Sequence, residues 1–156
     1  MLLKKSLRRF GLLGKGLNLD ISMYVENRNR LFEELYHGYI RELELKSKED
    51  ITIKLDGDSH LGTSWNTTPN SILELISDKN RHNLLVAKVK YRDSDWKLID
   101  LSQPLENDCE LQFLDFKSNE GKATYWHSSS HILGGIIEAN YNGYLCHGPA
   151  ITNGFF

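Results

Sequence analysis

Between Tyr24 and Lys48 the apolar positions recur at helical spacing. Phe32, Tyr36, Tyr39 and Leu43 follow one another at intervals of four, three and four, with Glu33, Glu34, Arg41, Glu42 and Glu44 between them. Gly38 weakens this helix by about 1 kcal/mol relative to alanine. The charged stretch Lys46 to Asp50 reads as a linker, so residues 23–49 are expected to form a solvated amphipathic arm. At Ile51 the period drops to two. Ile51, Ile53 and Leu55 alternate with Thr52 and Lys54, the pattern of a half-buried strand. Asp56-Gly57-Asp58 then predicts a hairpin with the segment reaching Trp65. Thr67-Thr68-Pro69 combines a candidate cap with a proline near the first helical position. Ile72, Leu73, Leu75 and Ile76 supply the expected buried face of a short helix. Further strands are expected over Leu84 to Tyr91, with Leu85, Ala87 and Val89 on one face, over Trp96 to Leu101, and over Cys109 to Phe116.

Two strands, one helix and then more strands within residues 50–116 predict an α+β unit of the β-grasp, or ubiquitin-like, class. A sheet that lays one apolar face on a single helix is the cheapest closed core for so short a chain. Lys117 to Lys122 reads as a polar connector, followed by a helix from about Thr124 to Asn140. Leu133, Ile136 and Ile137 would be its buried stripe; Gly134 and Gly135 cost stability unless a close neighbour needs the space. Gly143 to Pro149 reads as a strand entering a turn. Residues 117–156 thus begin a second α+β unit, and its end on Phe155 and Phe156 is unusual, since termini are generally polar unless they dock.

Charge changes the picture at the other end. The chain of 156 residues carries a formal charge of −2, but residues 1–22 hold five basic side chains and one acid, a net of +4, which leaves −6 for the rest. On a helical wheel Leu3, Leu7, Phe10, Leu13 and Leu17 share one arc, and Lys4, Lys5, Arg8, Arg9 and Lys15 lie opposite. A basic, amphipathic segment without acids before Asp20 has the physical signature of a mitochondrial import sequence. A basic tail lying on a membrane surface or left unstructured is the alternative. Met23 follows directly and could start a cytosolic form. No run reaches the roughly 18 to 20 apolar residues that span a bilayer. Cys109 and Cys146 lack C-x-x-C spacing and read as reduced thiols of a reducing compartment.

The clearest chemical signal is Trp126-His127-Ser128-Ser129-Ser130-His131. Histidines at i and i+4 lie on one helix face, about 6 Å apart at the backbone. That spacing suits two metal ligands, or a pair of hydrogen-bonding and acid/base groups around a substrate; ordinary surface or core histidines are the third option. The glutamate of H-E-x-x-H is missing, because Ser128 stands in its place. Only Cys146 and His147 lie near in sequence as further ligands. Gly11 to Gly16 lacks the spacing of a phosphate loop. His37, His60 and His82 read as surface residues, and Trp65 and Trp96 as core or edge packing.

Ala123-Thr-Tyr-Trp-His-Ser-Ser-Ser-His-Ile-Leu-Gly134, with Leu145-Cys-His-Gly-Pro149 and Gly154-Phe-Phe156, resembles the start of the threonyl-tRNA synthetase editing domain. Ahead of it, Ile51-Thr-Ile-Lys-Leu55, Trp65-Asn-Thr-Thr-Pro69, Val86-Ala-Lys-Val89, Leu98 to Leu101 and Pro104 to Cys109 resemble the family's TGS unit. The arm from Tyr24 to Lys48 is similar to the extension of its eukaryotic members. The resemblance covers nearly everything from Met23 to Phe156. It implies a role in joining threonine to its tRNA with ATP, and in hydrolysing tRNA mischarged with serine. His127 and His131 match the family's editing histidines, expected to position the mischarged 3′ end and an attacking water.

The departures are equally informative. The cysteine–histidine motif of the editing site, the zinc ligands, the class II catalytic core and the anticodon-binding domain have no counterpart in these residues, and Cys146-His147 does not have the required spacing. ATP and zinc are therefore expected only with that core, and no cofactor or metal with the residues present. The alanyl-tRNA synthetase editing family also uses H-x-x-x-H but places no TGS unit in front. The expectation is an N-terminal portion, inactive alone, with the tRNA for threonine as partner in the full-length context. No membrane partner is expected, the location is cytoplasmic or mitochondrial, and the oligomeric state is open because family dimers form through the core. A stand-alone TGS module binding RNA or protein is the main alternative; a small metal-dependent hydrolase is a third. Residues 1–22 fused to a fluorescent reporter are expected to carry it into mitochondria; diffuse cytosolic fluorescence would remove the targeting reading.

Overall fold

A computed structural model describes residues 19–76, 81–141, 145, 146, 148 and 150–155. The leader's residues 1–18 lie outside the described residues, as do 143, 144, 147 and 149 of the expected strand over Gly143 to Pro149. The chain divides into two compact units. One is Leu43–Tyr125; the other combines the chain before Leu43 with that from Trp126 onward.

In chain order the elements are α1 (Leu19–Leu45), β1 (Asp50–Leu55), β2 (Asp58–Thr63), α2 (Pro69–Leu75), a 3-10 turn at Arg81–Asn83, β3 (Leu84–Tyr91), β4 (Lys97–Ile99), β5 (Cys109–Asp115), α3 (Asn119–Tyr141), β6 (Ala150–Ile151) and β7 (Gly154–Phe155). The first five strands form a sheet in the order β2-β1-β5-β3-β4, and β6 pairs with β7. Only β1 and β5 run parallel; their neighbours pair antiparallel. With α2 between β2 and β3, this is the β-grasp arrangement of an α+β fold, as the alternation of apolar positions predicts.

Each strand's burial follows its period. Ile51, Ile53 and Leu55 are buried and Lys54 is exposed. They pack with Ile72 of α2, Ala87 and Val89 of β3, Ile99, Leu105, Cys109 and Leu111. Asp56 and Gly57 form a two-residue turn with φ of 50° and 94°, and Leu55 pairs with Asp58 across it. Positive φ at both positions is what a type I′ turn requires, and glycine accepts it without a steric cost.

The entry to α2 is built as expected. Thr68 caps the helix by accepting from the Ser71 N–H (3.2 Å), and the Ser71 hydroxyl accepts from the Thr68 N–H (3.0 Å). Pro69 occupies the first turn, where a missing N–H costs nothing. The loop before it is held from outside. Trp65 N–H donates to Leu105 O (2.7 Å), and Leu105 N–H donates to Thr67 O (2.8 Å). This holds Trp65 at a φ of 58°, unfavourable for a bulky residue, with Lys46 Nζ 4.9 Å from its ring centre.

Several expectations are corrected. Leu75 is 69% exposed, because α2 ends there and Ile76 turns extended to pack against the core in its place. Leu85 is only half-buried: a register shift between Leu84 and Val86 interrupts the alternation, and Val86 is the buried neighbour. Of Trp96 to Leu101, expected to be a strand or to hold part of one, β4 takes Lys97–Ile99; the Leu101 carbonyl accepts from Asn70 N–H at the start of α2 and Trp96 is exposed. The sheet also has a second covered side. Val86 and Leu114 are paired across β3 and β5 and buried outside the core cluster, and Lys88, two residues on from Val86, forms an ion pair with Glu120 of α3.

Cys109 is buried and Cys146 is exposed, and neither forms a disulfide. Burial, aided by the Asp108 charge, pushes the Cys109 thiol up to about 11. It stays protonated and unreactive near neutral pH. An alkylating reagent at pH 8 is expected to modify Cys146 and to reach Cys109 only in denaturant, as peptide mass mapping would show. Leu105→Ala should cost about 2–5 kcal/mol by cavity formation, and Thr68→Ala about 1 kcal/mol by loss of the cap, both read from urea denaturation.

Candidate functional site

α3 starts at Asn119, ahead of the expected Thr124. Ser118 launches it. Its N–H (3.2 Å) and hydroxyl (2.8 Å) both donate to Asp115 O, while the same hydroxyl accepts from Gly121 N–H (3.0 Å) and Ser118 O accepts from Lys122 N–H (3.0 Å). A side chain at position 121 would lie 2.0 Å from Asp115 O, so glycine is required for the helix to leave β5 this tightly. The polar string read as a connector is therefore a capped first turn.

Along α3, the 100° step per residue brings His127, His131, Gly134 and Glu138 into an arc of about 60°. The two imidazoles are exposed, their rings meet edge to face with centres 4.7 Å apart, and their Nε2 atoms are 3.1 Å apart. A hydrogen bond at this distance needs one ring to donate its Nε2–H and the other Nε2 to accept. The Ser130 hydroxyl donates to the His127 carbonyl (2.7 Å), a back-bond within the helix. Gly134 supplies the space the sequence suggests a close neighbour might need, because a Cβ there would meet Leu145 Cδ1 at 3.2 Å. Gly135 has open space instead.

The expected apolar stripe is not the buried face. Leu133 is 41% and Ile137 40% exposed, and Ile136 is half-buried, whereas the Glu138 side chain is 5% exposed. The reason is Arg28 of α1, whose guanidinium takes both carboxylate oxygens of Glu138 and lies 5.2 Å from the Tyr24 ring centre. A bidentate partner makes burial of a carboxylate tolerable. The hydrogen bond to Glu138 raises the Arg28 pKa against the lowering effect of burial. Neither residue stands out by motif. The available signal is that Glu138 is the one acid after Glu120, seven positions beyond His131 and so on the same helix face.

Of the other histidines, His37 and His82 are exposed and His60 is half-exposed. His147 lies outside the described residues. Among the described residues, no three His, Cys, Asp or Glu side chains gather to hold a metal, so the donors present do not make the closed four-ligand site of structural zinc. A paired imidazole donor and acceptor open to solvent can orient a polar substrate or a water molecule.

No protein-family model matches the chain. It is 39% identical over 134 residues to the cytoplasmic threonine–tRNA ligase of Caenorhabditis elegans, covering 85% of this chain and 18% of that protein. It is 38% identical over 140 residues to the human cytoplasmic threonine–tRNA ligase 2 (86% and 17%). It is 37% identical over 137 residues to the mouse mitochondrial threonine–tRNA ligase (85% and 18%). The chain thus spans less than a fifth of the length of these curated relatives.

The Arg28–Glu138 pair allows a direct test. Arg28→Met should destabilise the protein by about 1–3 kcal/mol, since it leaves a buried carboxylate unpaired, with Arg28's partial exposure tempering the loss. Arg28→Met combined with Glu138→Leu should recover most of it in a urea double-mutant cycle.

Proposed function

Because the chain is homologous to a segment of the threonyl-tRNA synthetases, we propose that it supplies an accessory portion of such an enzyme: a TGS-type β-grasp domain followed by the histidine half of a tRNA-editing site. The observation that carries this reading is the His127–His131 contact, two exposed imidazoles with their Nε2 atoms 3.1 Å apart on the helix that follows the β-grasp sheet. In this role the hydrogen bond between the rings opens: the unprotonated Nε2 takes a hydrogen bond from water, and the other Nε2–H donates to the sugar or the seryl group of a mischarged 3′ end. Water then attacks the ester carbonyl, and serine and the free tRNA end are released. The rate gain comes from orientation and charge stabilisation.

The pair covers only part of that task. Groups that hold the developing oxyanion are required as well; the family's second editing motif, a cysteine and a histidine, has no counterpart in these residues, and the resemblance expects ATP binding and zinc only with the catalytic core. The 156 residues are therefore proposed to be inactive alone and to engage the tRNA for threonine within a longer polypeptide. The relatives' labels, cytoplasmic and mitochondrial, support one or both of those locations. Among the described residues, no helix is long and apolar enough to cross a membrane.

The chain is expected to give no threonine-dependent ATP–pyrophosphate exchange and only background deacylation of seryl-tRNA. Measurable exchange would overturn the assignment of the core to other residues. Tight tRNA binding with a steep salt dependence would instead favour a stand-alone RNA-binding module.

A further inference from the structure

We propose that Arg28 and Glu138 are positioning residues: their ion pair sets the rotation of α3 within its unit, and so the direction in which His127 and His131 face. The use made of that direction rests on the editing reading; the placement itself does not. Glu138 follows His131 by seven residues and His127 by eleven. At 100° per residue, those steps put the two histidines about 20° to either side of Glu138 around the helix axis. A contact that holds Glu138 therefore holds both imidazoles. Arg28 supplies it from α1: Nη1 donates to Oε1 (3.3 Å), Nη2 donates to Oε2, and the guanidinium sits 5.2 Å from the Tyr24 ring centre. Such a two-pronged match of planar groups fixes direction as well as distance.

The apolar contacts of α3 supply little of this direction. Leu133 and Ile137 are well exposed, and Leu145 lies against the bare surface of Gly134; contacts of this kind hold a helix without fixing its rotation. The magnitudes show why rotation matters. A helix with its side chains is about 10–12 Å across, so a turn of about 30° carries an outer atom through about 3 Å. A misplacement of about 1 Å can cost about a hundredfold in rate. The contact between the two rings would survive such a turn, because the spacing along one helix face creates it. What changes is where the pair points. The arm expected to be merely solvated thus shares a compact unit with the histidines and aims their helix.

A nitroxide attached to the exposed Cys146 of the 156-residue chain reads this direction, while burial keeps Cys109 unlabelled. The signal is the broadening of the His127 and His131 ring-proton resonances, assigned with His127→Asn and His131→Asn. Arg28→Met should change the broadening of both rings. Arg28→Met with Glu138→Leu is the decisive variant: it should recover most of the urea stability yet leave the broadening altered, since apolar side chains do not fix rotation. A merely structural pair would recover both together. Arg28→Lys keeps the charge but not the two-pronged fork; it should alter the broadening as well, and it decides the matter if the double variant does not fold. Unaltered broadening in Arg28→Met or Arg28→Lys, or its return in the folded double variant, would overturn the proposal. Failure of the editing reading would appear instead as absent seryl-tRNA deacylation by a longer polypeptide carrying these residues, with these spectra unaffected.

Discussion

The parallel pairing of β1 with β5 is the constraint on which the first unit rests. Ile53 and Leu55 stand beside Cys109 and Leu111, partners more than fifty residues apart in sequence. Parallel neighbours cannot be joined by a tight turn, so everything between them must form a crossover. That crossover is the rest of the domain: a hairpin outward to β2, the helix α2 across one face, and a return through β3 and β4 on the far side of β5. Leu105, fully buried, sits where the return meets the outward path, and its two backbone bonds to Trp65 and Thr67 fasten one to the other. The central pairing is not local, which makes the core both cooperative and sensitive to single methyl groups.

Much of it was legible because the apolar periods are clean. Ile51-Thr-Ile-Lys-Leu55 can only be a half-buried strand, and Asp56-Gly57 names its own turn. Thr68-Pro69 announces a helix start for reasons of hydrogen bonding that hold in any context. What the sequence hid lies at the ends of elements, where tertiary bonds compete with local ones. Leu101 looks like strand, yet its carbonyl is taken by Asn70, and the ladder stops at Ile99. The second covered side of the sheet was hidden for a different reason: Val86 and Lys88 carry no pattern that reveals Glu120 as a partner.

α3 shows the same contrast at the candidate site. The i, i+4 spacing of His127 and His131 was readable at once, because helix geometry alone puts them together. The helix start was not, because Ser118 and Gly121 read as linker residues until the Asp115 carbonyl is seen to occupy the place of a side chain at 121. The buried face was misread most deeply. Hydrophobicity favours Leu133, Ile136 and Ile137, but the helix buries the carboxylate of Glu138, and a partner 110 residues away in sequence makes that tolerable. Single-sequence reasoning has no access to such a partner.

That misreading bears on how the histidines are held. A helix that turned its leucine and isoleucine stripe inward would rotate the arc carrying His127, His131 and Glu138 toward solvent, and its orientation would then rest on non-directional apolar contact. With Glu138 fixed by two hydrogen bonds to Arg28, the rotation of α3 within its unit is set by a directional contact on the same arc as the imidazoles. Leu145, lodged against Gly134 between them, fills the step that a side chain there would close. The exposed imidazoles therefore need no buried contacts of their own, and both rings stay open to solvent.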